Sequence, residues 1–276
     1  MRTGFLHGLL GTQVTVDLWP HPITGPASET WEITEKIDEE ICPTDENDSN
    51  NGKLPAYVLG TFRCRSTDDN DEGKKLGIVK IYKQIPYDGT QFYDYEYRKQ
   101  QAVEPYEPRE LIALKALKHR GCVVVPELLG YRLTKQDAME IVPRGCLMYI
   151  VWKQVPGEPL TEEAFWQAPL AKRDEIRAQF RHTYQQLVEY APLISEIRKI
   201  IYDWTTGEMH ISGFWRAASL DGYAKWDDYL FVQFDLVSAN PSYKHYFTIG
   251  ATDTYHDEKG WRCSAYEESP DRLNGL

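Results

Sequence analysis

The chain lacks the features that mark several common protein classes. No apolar run approaches the roughly 20 residues a helix needs to cross a bilayer. The stretch Phe5-Leu6-His7-Gly8-Leu9-Leu10 is too short and broken for the apolar core of a signal peptide, so the expected location is the cytoplasm. The five cysteines, Cys42, Cys64, Cys122, Cys146 and Cys263, are odd in number and contain no Cys-x-x-Cys pair. That pattern argues for reduced thiols and against a disulfide framework or a structural zinc site. The seven histidines show no His-x-x-x-His spacing, so neither a metal nor a cofactor is expected. No serine stands in a Gly-x-Ser-x-Gly turn, which removes the commonest hydrolase elbow.

What is present describes a globular chain. Its 276 residues, 42% hydrophobic and 13% aromatic, allow one large domain or two lobes with ample core. The net charge of −11 is uneven: residues 29–73 carry 13 Asp and Glu against Lys36, Lys53, Arg63 and Arg65. An acidic surface of this kind repels a phosphate backbone, so DNA is not an expected partner, and neither is a membrane.

Along the chain, Val14-Thr15-Val16-Asp17-Leu18 alternates like a short strand, and residues 29–41 read as an acidic helix. Residues 43–52 have the composition of a solvated loop. Tyr57–Cys64 and Gly77–Lys83 alternate like two strands of a hairpin joined by the acidic loop Ser66–Gly73. In the second of these, Ile78, Lys80 and Tyr82 share one face while Val79 and Ile81 share the other. If Lys80 is buried it needs an acceptor; at a sheet edge its head would reach water instead.

Residues 84–108 are rich in tyrosine and proline and show no period. Pro108 then opens a helix over residues 109–118, with Glu110 in its first turn. Strands follow at 123–131 and 146–155, the second breaking at Pro156-Gly157. A helix of about five turns carries Ile176, Phe180, Tyr184, Leu187 and Val188 on its apolar face, with Arg173, Arg177 and Arg181 on a polar stripe. Two short strands are expected at 199–203 and 209–214. Residues 224–237 fit a helix through Trp226, Leu230, Phe234 and Val237, or a strand.

The order of these elements resembles the protein-kinase-like fold, in particular its degenerate fungal members. The resemblance covers residues 57–217. Lys80 is similar to the lysine of the family's third strand, Glu110 to its carboxylate partner on the next helix, and Trp152-Lys153-Gln154-Val155-Pro156-Gly157 to the hinge. Arg173-Asp174-Glu175-Ile176-Arg177 resembles the start of the helix before the catalytic loop. The resemblance implies an α+β, two-lobed fold: a β-rich N-lobe over 1–151 built on a five-stranded sheet, and a reduced helical C-lobe over 152–276. It also implies a structural ion pair between Lys80 and Glu110.

The family's catalytic groups are replaced. Leu59-Gly60-Thr61-Phe62-Arg63 supplies one glycine where a Gly-x-Gly-x-x-Gly loop belongs. Lys199 stands at the magnesium-binding asparagine, and Ser212 or Gly213 at the metal aspartate.

Two acidic stretches remain. Asp68-Asp69-Asn70-Asp71-Glu72 reads as a solvated turn, and Asp227-Asp228 lies between Trp226 and Tyr229. Adjacent carboxylates hold a guanidinium or share a proton, but they also suit the first turn of a helix. An Asp-Asp-x-x-Glu motif is associated with fungal arginine-containing cyclodipeptide synthases, a family of stand-alone proteins that this chain resembles in that motif. Residues 68–72 match that motif and residues 227–231 match its first half. Three functional classes come into question; a surviving small-molecule kinase is nearly excluded by the missing aspartates, and two stay open. One is a biosynthetic enzyme of secondary metabolism, making cyclo-Arg-Xaa from aminoacyl-tRNA, with Asp227 and Asp228 catalytic and an arginine-like substrate. The other is an inactive pseudokinase acting as a binding or scaffold module.

Overall fold

The computed structural model describes residues 4–52, 54–68, 75–187, 190–191, 197–219, 226 and 229–237. The fold is mixed α+β and contains a large antiparallel sheet. The chain divides into two units, residues 1–112 with 127–154, and residues 113–126 with 155–276.

The first unit is organised by six strands: β1 (Gln13–Leu18), β2 (Ser28–Cys42), β3 (Tyr57–Ser66), β4 (Leu76–Gln84), β5 (Leu128–Lys135) and β6 (Cys146–Lys153). They pair in the order β1-β2-β3-β4-β6-β5, and β1 closes the ring by pairing with β5 as well as β2. The expected five-stranded sheet is therefore a six-stranded closed barrel. Inward-facing residues of each strand, among them Val16, Trp31, Ile33, Val58, Phe62, Val79, Ile81 and Val151, form its core. Each large apolar side chain so buried contributes roughly 1.5–3 kcal/mol relative to exposure.

Closure depends on one glycine. Leu18 of β1 lies opposite Gly130 of β5, next to a register shift between Leu128 and Gly130. A Cβ at Gly130 would lie 2.5 Å from the Asp17 carbonyl oxygen and 3.0 Å from Val16 Cγ2. Any side chain there pushes β1 away.

The acidic segment 29–41, expected as a helix, is part of strand β2. Trp31 and Ile33 are fully buried two residues apart, on the same face of the strand. Two of its carboxylates are paired across the sheet: Glu32 lies opposite Arg65 and pairs with it at 2.9 Å, and Glu35 lies opposite Arg63 at 3.0 Å. Cross-strand pairing thus overrides a composition that favours helix.

The loop expected at 43–52 contains one short helix, α1 (Glu46–Asn50), capped by Asp45, and residues 84–108 contain another, α2 (Tyr95–Gln100). What fixes the aperiodic 84–108 stretch is a set of buried glutamines. Gln84 donates to the Gln101 carbonyl at 2.6 Å and accepts from Val103 N–H at 3.1 Å and Cys146 N–H at 3.2 Å. Gln101 accepts from Tyr87 N–H at 2.9 Å, and Gln136 donates to the Gln84 carbonyl at 2.8 Å. Polar groups that are buried but satisfied in this way hold an irregular backbone in one conformation. Helix α3 (Arg109–His119) follows with Glu110 in its first turn.

In the second unit, β7 (Glu158–Pro159) precedes α4 (Glu162–Gln167) and α5 (Leu170–Tyr184). A pair β8 (Tyr190–Ala191) with β11 (Ala218–Ser219) accompanies the hairpin β9 (Ile200–Tyr202) with β10 (Met209–Ile211), and α6 (Tyr229–Gln233) comes last. Over 229–233 the helix reading of this segment holds. Ile176 and Phe180 of α5 are buried as expected, and the Phe180 ring lies 4.8 Å from that of Phe234. Of the arginine stripe only Arg181 is exposed. Arg173 and Arg177 are each 2% exposed. Arg177 donates to the Leu236 carbonyl at 2.8 Å and pairs with Asp174 at 2.7 Å, and its guanidinium stacks on Phe165 at 5.3 Å. Among the described residues no helix is long and apolar enough to cross a membrane.

Valine has a higher strand propensity than glycine, so propensity alone makes Gly130→Val stabilising. The clash is with backbone, which cannot swing aside, and overpacking typically costs about 1–3 kcal/mol. Urea denaturation should show a lower midpoint for Gly130→Val. An unchanged or higher midpoint would mean that β1 is free to shift and that closure does not depend on this residue.

Candidate functional site

The residues singled out by sequence fall at separate places. Lys80 lies at the centre of β4, with Thr61 of β3 opposite on one side and Ile150 of β6 on the other. Its neighbours Val79 and Ile81 point into the barrel core, so Lys80 and Tyr82 project from the outer face. That outer face is also buried: Lys80 is 8%, Tyr82 3% and Glu110 3% exposed. The edge reading of Lys80 is therefore excluded.

Glu110 reaches the ammonium from the first turn of α3. Lys80 Nζ lies 3.0 Å from Glu110 Oε2, and the Tyr82 hydroxyl donates to the same oxygen at 2.5 Å. The Lys80 ammonium also stands 5.7 Å from the centre of the Tyr82 ring. Burial first, and the Glu110 charge second, push the Tyr82 phenol well above its ordinary pKa, so it remains a donor. Sequence reasoning placed Tyr82 on the face of Lys80 but gave it no role. Its i, i+2 spacing from Lys80 on one strand face was the available signal.

Gly60, the one glycine found where a phosphate-binding loop would belong, is a mid-strand residue of β3. A Cβ there would run into Leu6 and Phe62, so its small size makes room for core packing. The hinge-like stretch begins at the end of β6, and one of the three points where the chain passes between the units falls between Gln154 and Val155.

In the second unit, Lys199 closes a 3-10 turn over Ile197–Lys199, just before β9. Ser212, just after β10, donates to the Lys199 carbonyl from its backbone N–H at 2.8 Å and from its hydroxyl at 3.1 Å. Gly213 has φ +88°, and a Cβ on it would lie 2.5 Å from Lys199 Cδ. The two positions that the resemblance assigns to metal ligands are thus brought together, with lysine methylenes packed on a glycine. A unit charge about 4 Å from another is worth about 4 kcal/mol at an effective dielectric near 20, so an ammonium here opposes a divalent cation. Among the described residues no three acidic, histidine or cysteine side chains are grouped to hold a metal.

Asp227 and Asp228 lie outside the described residues, as do Asp69, Asn70, Asp71 and Glu72. Trp226 packs its ring 5.0 Å from Phe231, and Arg181 stacks over it at 5.3 Å. Of the thiols, burial raises Cys64 to about 12 and Cys146 to about 11, which leaves both unreactive at neutral pH.

The sequence matches no family model and no curated protein. Among solved structures it is similar to the kinase PK-1 of Cydia pomonella granulovirus, with a TM-score of 0.40 and 11% identity. The match covers 71% of this chain and 55% of that kinase. At that TM-score the likeness does not decide a fold family.

Two outcomes follow from this geometry. Removing one member of a buried ion pair leaves the other uncompensated, typically at 3–5 kcal/mol, whereas replacing both with apolar groups costs much less. Lys80→Met should therefore lower the melting temperature more than Lys80→Met with Glu110→Leu. In that double variant the Tyr82 hydroxyl loses its acceptor, a penalty of about 1–3 kcal/mol that adding Tyr82→Phe should recover. Equal small losses from Lys80→Met and Glu110→Leu, with no coupling between them, would mean the pair contributes nothing.

The second outcome concerns His210, which is 7% exposed on β10 with Nε2 3.5 Å from Glu208. Burial lowers its pKa from the ordinary 6.5, the Glu208 charge partly opposing this. A proton is then bound more readily by the unfolded chain, so this contribution to stability is present above pH 6.5 and is lost as pH falls below it. Thermal unfolding across pH 5–8 should show His210→Gln less pH-sensitive than the unaltered protein in that window. Identical profiles would dismiss the residue as a contributor.

Proposed function

We propose that this chain is a protein-kinase-like protein that keeps the family's lysine–glutamate pair as a structural element, has no magnesium-dependent phosphoryl transfer, and serves as a binding or scaffold module. The observation that carries this reading is the pairing of Lys199 with Ser212 and Gly213. Protein kinases hold two magnesium ions with an asparagine of the catalytic loop and an aspartate after the next strand pair. At the corresponding positions this chain has a lysine and a serine–glycine step, joined by two hydrogen bonds to the Lys199 carbonyl. Lys80 on a central strand and Glu110 on the following helix, 3.0 Å apart, support the same family.

The alternative, an aminoacyl-tRNA-dependent cyclodipeptide synthase using Asp227 and Asp228, rests on residues outside those described. No described contact favours it over the binding module.

Calorimetry with Mg-ATP tests the proposal directly. The expected result is no binding in the physiological nucleotide range. A micromolar dissociation constant that weakens on adding EDTA would overturn it. So would a new arginine-containing product on expression in a fungal or bacterial host, if that product disappears with Asp227→Asn and Asp228→Asn.

A further inference from the structure

Glu110 Oε2 has two donors within hydrogen-bond distance, the Lys80 ammonium at 3.0 Å and the Tyr82 hydroxyl at 2.5 Å. The second of these is not required by burial of the lysine. A phenylalanine at position 82 would fill the same space beside Leu59 and Met148, the residues opposite it on β3 and β6. The hydroxyl adds a fixed donor on the same strand as the lysine and aims it at the lysine's own acceptor. We propose that Tyr82 is a positioning residue: it anchors the Glu110 carboxylate to β4 and thereby holds Lys80 in its ion pair with no ligand bound.

The physical distinction lies in what each donor can do. A lysine on a four-carbon stem has rotatable freedom, and an anionic ligand can draw it off a carboxylate. A tyrosine has two side-chain torsions, and at position 82 it is 3% exposed and packed near the Tyr57 ring at 6.2 Å. Its hydroxyl has one narrow range of directions, so the carboxylate it holds cannot follow the lysine away. Hydrogen bonds to a charged acceptor are also about twice as strong as neutral ones. Lys80 thus has a carboxylate held in place for its ammonium, so an anionic ligand that draws the ammonium away must break the ion pair outright. The inference rests on the contacts of β4 and α3 alone and stands or falls separately from the kinase-like reading.

The test is the chemical reactivity of one lysine. Limiting acetylation with an N-hydroxysuccinimide ester, read peptide by peptide by mass spectrometry, reports how often each ammonium leaves its partner. Lys83 is the internal reference, since it lies on the same strand, points the other way, and pairs with Glu140 at 2.5 Å. In Tyr82→Phe the rate at Lys80 should rise about tenfold while Lys83 stays unchanged, as loss of one charge-assisted hydrogen bond requires. An unchanged Lys80 rate overturns the proposal, because the ring alone then suffices. A parallel rise at both lysines also overturns it, since β4 as a whole has loosened.

The unaltered protein gives a second reading that does not depend on the variant folding. The Tyr82 hydroxyl proton should exchange slowly enough with water to be detected by NMR, with a cross-peak to the Glu110 side chain. A hydroxyl proton in fast exchange with water would refute the anchoring contact.

Discussion

A lysine ammonium with only a tenth of its side chain exposed must have a partner, and the first unit is built around supplying one. Lys80 occupies the middle of a strand that is buried on both faces, Val79 and Ile81 on the inside and Lys80 and Tyr82 on the outside. Once that strand is fixed, Glu110 has one place to be. The helix that carries it must start where its first turn meets the outer face of β4. Desolvation makes the pair costly to form and costlier to break, so it contributes more to fixing where the first turn of α3 starts than to net stability.

The same logic extends to the other buried polar groups. Gln84, Gln101 and Gln136 hold a stretch with no regular period by satisfying its backbone donors and acceptors one at a time. In the second unit Arg177, though on a helix face that reads as polar, ties α5 to the Leu236 carbonyl beyond α6. Each is a side chain with several donors or acceptors placed where irregular backbone would otherwise be unsatisfied.

In the first unit the lysine–glutamate pair carries a tyrosine on the same carboxylate oxygen. At the end of the β9–β10 hairpin Ser212 donates twice to the Lys199 carbonyl, and the Lys199 methylenes lie against Gly213. A lysine brings a positive charge to such a place, which repels a divalent cation, whereas an alanine would only fail to bind one.

Period and spacing in the sequence were enough to find the strands at 57–64 and 77–83, the helix opened by Pro108, the strand expected at 146–155 and observed as Cys146–Lys153, the long helix carrying Ile176 and Phe180, and the β9–β10 hairpin. Those elements bury one face or one stripe, and that leaves a pattern two or 3.6 residues long. The sequence also placed Lys80 among apolar neighbours and Glu110 in a first turn. It could not decide β2, where acidic composition reads as helix until Arg63 and Arg65 of another strand lie opposite Glu35 and Glu32. Nor did it show β1 closing the barrel, since that closure depends on a glycine 112 residues after Leu18 having no Cβ to strike Asp17. The burial of Arg177 and the role of Tyr82 were equally out of reach. A hydrogen bond to a distant carbonyl or carboxylate leaves no period in the chain, so only the tertiary structure decides it.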